Sequence, residues 1–373
     1  MFRPAIQKTW VLVGIASVNI ILFAIASNMT VIQEARGYEL KMAAAQLMKS
    51  AMTSLKEHRM GESGIFVDVE NDPNETALVG PQFSLITTDE GDLDHKLTSL
   101  NPNFAALIVD LFLEARVKEG DKVAVSLTGS MPGANLAVLA ACVTLNLEPV
   151  IIASVGASQW GATDPYFTWL DIENTLFEMK VIPFRSAAAS IGGKGDTGKG
   201  ISVRGRELLW EAIYRNNIPL IQEATLQQSI DKRMEIYSAE TLIQEFAVFI
   251  NVGGGAAGIG PSINARLIPN GVSLPAELRD ISGSSVVREF ARAGVAVIQV
   301  LNIPRLVREF EMPIAPTPLP EIGAGQLFSI VRYNIWISTL ALLLAAGLVI
   351  SVGIYSHRQI KHRMETYEPD SIL

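Results

Sequence analysis

Four short stretches hold residue types able to bind or transform a small molecule. The first, Thr128-Gly-Ser-Met-Pro-Gly-Ala-Asn135, is a small-residue loop carrying the hydroxyls of Thr128 and Ser130 and the amide of Asn135. The second, Gly193-Lys-Gly-Asp-Thr-Gly-Lys199, matches the phosphate-loop spacing G-x-x-x-x-G-K, but Gly200 stands where Ser or Thr would hold magnesium. The third, Asn251-Val-Gly-Gly-Gly-Ala-Ala-Gly258, contains G-x-G-x-x-G, yet no acidic residue closes a strand about twenty residues on, where a ribose would need one. Neither glycine motif is complete. Lys194 and Lys199 are therefore read as a cationic loop suited to a carboxylate, and Asn251, Gly253 and Gly254 as a turn that brings backbone close to a ligand. The fourth, Thr87-Thr-Asp-Glu-Gly-Asp-Leu-Asp-His95, is acidic, but Leu100 occupies the position where a calcium loop begun at Asp89 would need Glu, so a solvated loop is expected.

Catalytic groups are sparse. Ser130 is the candidate nucleophile, although its frame is not G-x-S-x-G. Asp164 is the candidate acid or base. Of the four histidines, His357 and His362 follow the last apolar run, which leaves only His58 and His95 to serve a Ser-His-Asp arrangement. H-E-x-x-H and clustered Cys/His are absent from the sequence, so neither a metal nor a cofactor is expected. The single cysteine, Cys142, excludes an internal disulfide and reads as a buried thiol.

These loops need a scaffold, and residues 122–158 supply its unit. Val123-Ala-Val-Ser-Leu127 and Pro149-Val-Ile-Ile-Ala-Ser-Val155 are apolar runs on either side of a helical pattern over residues 136–146. Two near-continuous apolar strands joined by a helix predict a parallel βαβ unit buried on both faces. Further strands are expected at residues 181–185, 218–221, 246–252 and 295–299, with short ones at 65–69 and 83–87. Helices are expected at 103–118, 165–178, 204–216, 226–238, 284–293 and 303–310. The alternation predicts an α/β fold, a mainly parallel, Rossmann-like sheet flanked by helices, with ligand loops beyond the carboxyl ends of its strands. Residues 31–59 carry Tyr38, Met42, Ala45, Met48, Met52 and Leu55 at helical spacing, which predicts a helix packed on its own domain in preference to a free stalk.

The ends of the chain set its location. Residues 10–26 and 335–354 are apolar runs in the length range that spans a bilayer, roughly 17–25 residues. Arg3 and Lys8 precede the first; Arg358, Lys361 and Arg363 follow the second. Basic flanks stay inside, so both termini are expected in the cytoplasm and the central domain outside it, in the cell membrane. Ala24-Ile-Ala26 also fits a signal-peptidase site, a reading that exports the same domain. The resulting plan is a cytoplasmic start (1–9), a transmembrane helix or signal peptide (10–26), an amphipathic helix (27–60), an exported α/β domain (61–312), a Pro-rich linker (313–334), a transmembrane helix (335–354) and a cytoplasmic tail (355–373). The net charge of −8 offers no basic footprint for nucleic acid.

Leu127-Thr-Gly-Ser-Met-Pro-Gly-Ala-Asn135, Ala157-Ser-Gln-Trp-Gly-Ala-Thr-Asp-Pro-Tyr166 and Ile250-Asn-Val-Gly-Gly-Gly255 resemble the poly-γ-glutamate system protein family, membrane components that accompany bacterial poly-γ-glutamate synthesis and capsule formation. The resemblance implies an anionic polymer as ligand and membrane-bound synthesis and export components as partners, besides the lipid bilayer. It brings no catalytic residues. Three readings stay open: an accessory protein that holds the emerging polymer, an exported amide hydrolase or transferase that trims or attaches it, and an extracytoplasmic solute-binding or sensing module.

Overall fold

The computed structural model describes residues 9–61 and 67–365. They form two compact units, one within residues 35–328 and the other combining residues 9–34 with 329–365. In chain order, helix α1 (Thr9–Asn28) and strand β1 (Thr30–Glu34) come first. The Ala35–Phe328 unit follows with α2 (Tyr38–Gly61), α3 (Leu93–Ser99), α4 (Asn103–Glu114), β2 (Lys122–Thr128), α5 (Pro132–Thr144), β3 (Glu148–Ser154), α6 (Trp169–Glu178), β4 (Ala188–Ser190) and α7 (Val203–Arg215). It continues with β5 (Leu220–Ile221), α8 (Leu226–Glu240), β6 (Val248–Val252), α9 (Ala256–Ile259), α10 (Asn264–Leu267), β7 (Gly271–Ser273), α11 (Val286–Arg292), β8 (Val297–Val300) and α12 (Ile303–Arg308). Strand β9 (Ser329–Tyr333) and helix α13 (Ile335–Glu365) close the chain.

The larger unit is an α/β fold around a seven-stranded sheet in the order β5-β4-β3-β2-β6-β8-β7. All its pairings are parallel except β7 against β8. The expected βαβ unit is present, with Lys122 opposite Glu148 and Thr128 opposite Ser154. Alternation along the strands divides the core. Val125 and Leu127 of β2, Ala153 of β3 and Ile250 of β6 face a layer that includes α2, α4 and α5. Ala124, Ile152, Phe249 and Val297 face Ile230 and Tyr237 of α8 and Phe290 of α11. There Phe249 and Phe290 stack with centroids 4.5 Å apart. Helices cover both faces, which is why the central strands read as continuous apolar runs. Helix α2 buries Ala44, Ala45, Met48, Met52 and Leu55, so the methionine face belongs to the core as expected.

In the smaller unit, β1 pairs antiparallel with β9, Thr30 opposite Tyr333. Helices α1 and α13 are both long and apolar enough to cross a membrane. Asn334 Oδ1 accepts from the amides of Trp336 and Ile337 at the start of α13.

Several elements depart from the sequence reading. Residues 181–185 are not a strand; the position beside β3 is taken by Ala188–Ser190. Pro183 has no N–H for an interior ladder, whereas Ala188, Ala189 and Ser190 are small enough to be buried completely between the layers. Residues 83–87 turn instead of extending: Thr87 Oγ1 accepts from the Ser84 amide, and Phe83 and Leu85 stay exposed. In the other expected short strand, residues 65 and 66 lie outside the described residues, and residues 67–69 are irregular. Helix α6 begins at Trp169 and not at Pro165, because Thr168 and Asp171 form a capping box. Helix α5 begins earlier than expected, with Pro132 in its first turn, which leaves residues 129–131 as the actual loop. The acidic stretch ends in a helix, α3, whose N-cap Asp92 accepts from the amides of Asp94 and His95. The Pro-rich segment is packed and not a free spacer. Ala315 N donates to Thr98 Oγ1, Asn74 Nδ2 to Pro316 O and Asn103 Nδ2 to Glu321 O, and Leu327 and Phe328 are buried. The α/β unit therefore extends to Phe328.

Candidate functional site

Strand order places a switch point between β2 and β6. The chain leaves β2 toward β3 on one side and leaves β6 toward β8 on the other, so the loops after β2 and β6 part there. On the face shared with α8 and α11, the strands turn polar at their carboxyl ends. Thr128, Ser154 and Ser190 stand in register across β2, β3 and β4. Asn251 of β6 lies opposite Ser126 of β2 and Gln299 of β8. All six are buried. One polar band thus crosses five strands, directly above an apolar layer.

Near the switch point the backbone approaches the band closely. A β-carbon on Gly253 would stand 2.2 Å from Thr128 Oγ1, one on Gly258 would stand 2.3 Å from Asn251 Oδ1, and one on Gly255 would stand 3.1 Å from Thr128 Cγ2. The third glycine motif is therefore a turn of close approach, with Gly253 at φ +90°. Asn251 Nδ2 donates to Gly253 O at 2.9 Å and to Gln299 Oε1 at 3.1 Å. Asn135, in the first turns of α5, donates through Nδ2 to Thr128 O at 2.8 Å. Among the described residues, Thr128 Oγ1, Asn135 Oδ1 and Asn251 Oδ1 have no hydrogen-bond partner. Leaving such an atom unpaired costs about 1–3 kcal/mol, and these three lie on β2, α5 and β6 around the switch point. Gly254, in the turn beside them, is exposed.

Next to the switch point the band is sealed. Asp196, at the turn of the glycine-rich loop, points inward and pairs with Arg233 of α8 at 2.8 Å, both almost fully buried. Arg233 Nη2 also donates to Ser154 Oγ (3.1 Å) and Ser190 Oγ (2.7 Å), Ser190 Oγ donates to Asp196 Oδ1 (2.6 Å), and Ser229 Oγ donates to Asp196 Oδ2. The loop is thus clamped at its centre, and Lys194 and Lys199, bridged to each other through their backbones, are displayed on its exposed arms. Arg204 does not join them; it pairs with Glu207 and Glu211.

The two catalytic candidates separate. Asp164 is not at the strand ends. Its Oδ2 accepts from Arg59 Nη2 at 2.8 Å and its Oδ1 from the Tyr166 amide, and the Arg59 guanidinium lies 4.3 Å from the centre of the Phe167 ring. That is a tie between α2 and the α6 approach that engages both carboxylate oxygens. Ser130 does lie at the β2 end, where its Oγ accepts from the Ser158 amide at 3.0 Å. Beside it is a residue that sequence reasoning missed. Lys96 of α3 is buried, its Nζ 2.5 Å from Ser130 O, 2.8 Å from Ser158 Oγ and 3.8 Å from Met131 Sδ. Burial pulls its ammonium down to about 8. The same desolvation lowers His95, the neighbouring residue. No group of three or more potential metal ligands is found among the described residues. A recognisable signal existed for the band, since Ser126, Thr128, Ser154, Ser190, Asn251 and Gln299 are polar residues near the ends of otherwise apolar strands. Lys96 gave none, because a lysine in an acidic, amphipathic stretch reads as solvated.

No protein-family profile matches the chain, and no curated protein matches it. Among solved structures, a weak match covers 95% of this chain and 72% of the other at 12% identity with a TM-score of 0.15. That structure is described as the crystal structure of an archaeal alanine:glyoxylate aminotransferase, and likeness at this level carries no argument.

Proposed function

We propose that this chain is a membrane-anchored accessory protein of poly-γ-glutamate synthesis and export, and that its α/β unit holds the emerging polymer outside the cytoplasmic membrane. Both termini lie in the cytoplasm, as the basic residues flanking the apolar runs favour. The observation that carries the binding role is the switch-point band, where Thr128 Oγ1 and Asn251 Oδ1 are without partners among the described residues and the Gly253–Gly255 backbone approaches them closely. A γ-linked polymer presents amide N–H groups and carboxylates in alternation. The Asn251 carbonyl suits the first and the exposed Lys194 and Lys199 suit the second. The polymer's identity rests on the family resemblance of residues 127–135, 157–166 and 250–255.

The test uses the full chain in lipid nanodiscs, titrated with poly-γ-glutamate and with poly-α-glutamate of equal length. Preferential binding of the γ-linked polymer, weakened about tenfold in a K194A/K199A variant and by added salt, is the expected result. Equal binding of both polymers, or of neither, sinks the reading. Thermal stabilisation by a small unrelated anion alone would instead favour a solute-binding module.

A further inference from the structure

The surroundings of Lys96 accommodate a neutral amine as well as an ammonium. Its side chain is 2% exposed, and among the described residues no carboxylate lies within ion-pair distance of its Nζ. Its three polar neighbours are Ser130 O, Met131 Sδ and Ser158 Oγ. A neutral amine has two N–H donors and one lone pair. The carbonyl and the thioether are acceptors only, and the serine hydroxyl can donate to the lone pair. An ammonium would give its third N–H to Ser158 Oγ, but would leave a buried charge with no counter-ion in contact. Packing alone would be served at lower cost by Met or Leu.

Ser158 is held as a reacting group needs to be. Its own amide donates to Ser130 Oγ. The chain on one side is fixed where Thr88 N donates to Ala157 O at 2.8 Å, and on the other where Gln159 N donates to Asp89 O at 3.2 Å. Ser158 is half-buried, and Lys96, behind it, is fully buried. The amine is therefore more deeply buried than the serine whose hydroxyl it contacts.

We propose that Ser158 and Lys96 are a nucleophile–base pair for acyl transfer, with Ser158 Oγ attacking the carbonyl of an amide or ester and Lys96 Nζ taking its proton. The Oγ–C bond forms as the Oγ–H proton passes to Nζ. The carbonyl then re-forms, the C–N or C–O bond breaks, and the Lys96 ammonium returns the proton to the departing amine or alkoxide. Water, or an acceptor amine, attacks the resulting ester and gives its proton to Lys96. Oγ leaves carrying that proton, and the pair is restored. The choice of substrate, a γ-glutamyl amide, rests on the polymer reading above; the pair itself does not.

The electrostatics around Lys96 leave its amine as the group to titrate. At the start of α3, its N-cap Asp92 and Asp94 are exposed and His95 is half-buried. Helix α5 and residues 155–163 contain no charged side chain, and α12, which packs against α3, brings the exposed Arg305 and Arg308. The Lys96 ammonium, lowered to about 8 chiefly by burial and partly restored by Asp92, loses its proton as pH rises through that value.

The experiment treats the full chain in nanodiscs with a fluorophosphonate and follows the adduct by intact mass and peptide mapping. A single adduct on Ser158 is expected, absent in S158A and formed at least about 100-fold more slowly in K96M. Its rate in the unaltered protein should rise with pH to a plateau, with a midpoint near 8. No adduct, an adduct on Ser130, a K96M rate equal to that of the unaltered protein, or a flat pH profile overturns the pair. The pH profile needs no variant, so the test survives if K96M fails to fold. Incubation with poly-γ-glutamate is the second arm. An adduct on Ser158 without polymer cleavage or transfer upholds the pair and overturns the γ-glutamyl substrate. Polymer binding without an adduct overturns the pair and leaves the binding role standing.

Discussion

Thr128 Oγ1 occupies the space that a β-carbon on Gly253 would need, 2.2 Å from its ideal position. The two residues end β2 and begin the loop after β6, so this one approach sets how tightly the switch point closes. Gly253→Ala should cost at least about 2 kcal/mol, from the clash together with an L-residue at φ +90°. Thr128→Ala should remove the clash and leave the backbone strain. In chemical unfolding of the detergent-solubilised chain, the double variant should therefore be more stable than the sum of the two single changes by about 1 kcal/mol. Strict additivity would mean that the side chain and the glycine do not set each other's positions.

The Asp196–Arg233 pair holds the glycine-rich loop from within. Asp196→Asn leaves the Arg233 guanidinium buried without its counter-charge and should destabilise the protein by about 3–5 kcal/mol. It should also expose residues 192–200 to limited proteolysis. Adding Arg233→Met should recover part of the loss, because the orphaned charge is then gone. A single change that neither destabilises the protein nor frees the loop would show that the glycines alone shape it.

Glu173 is buried, with Oε1 accepting from Ser186 N at 2.6 Å and Oε2 from Ser186 Oγ at 2.8 Å. Burial outweighs these bonds and raises its carboxyl from 4.5 to about 7. Between those values the folded chain holds a proton that the unfolded chain has released. Its contribution to stability is therefore complete below the unfolded value and disappears as pH rises through about 7. The stability lost between pH 5 and pH 8 should be larger in the unaltered protein than in Glu173→Gln. Parallel stability curves for the two proteins would contradict this.

Cys142 is fully buried in α5, and burial pushes its thiol well above the ordinary range. The folded protein should not react with maleimides at pH 7.5 and should react once unfolded. That silence makes topology measurable with introduced cysteines. In intact cells, an impermeant maleimide should label Lys199→Cys directly and Arg358→Cys only after permeabilisation. The opposite pattern would invert the proposed orientation.

The sequence by itself determined the architecture and much of the site's outline. Apolar runs of strand length alternating with helical periodicity specify a parallel sheet covered on both faces, because only that arrangement buries such strands completely. The two terminal runs are legible for a similar reason: length and apolarity alone decide whether a helix can cross a bilayer. The loops at Thr128 and Gly253 were legible from their position after strands, and the loop at Lys194 from its glycines. Tertiary structure decided which of their atoms meet. Register across neighbouring strands, which no single segment encodes, placed Thr128, Ser154 and Ser190 in one row. Folding also brought Arg59 of α2 against Asp164, a pairing distant in the chain. Packing of α3 over the β2 end buried Lys96 against Ser158, although nothing in its local sequence separates it from a surface lysine. Local sequence sets what each segment prefers; burial and partnership arise only where segments distant in the chain are brought together, and the chemistry of Lys96 depends on both.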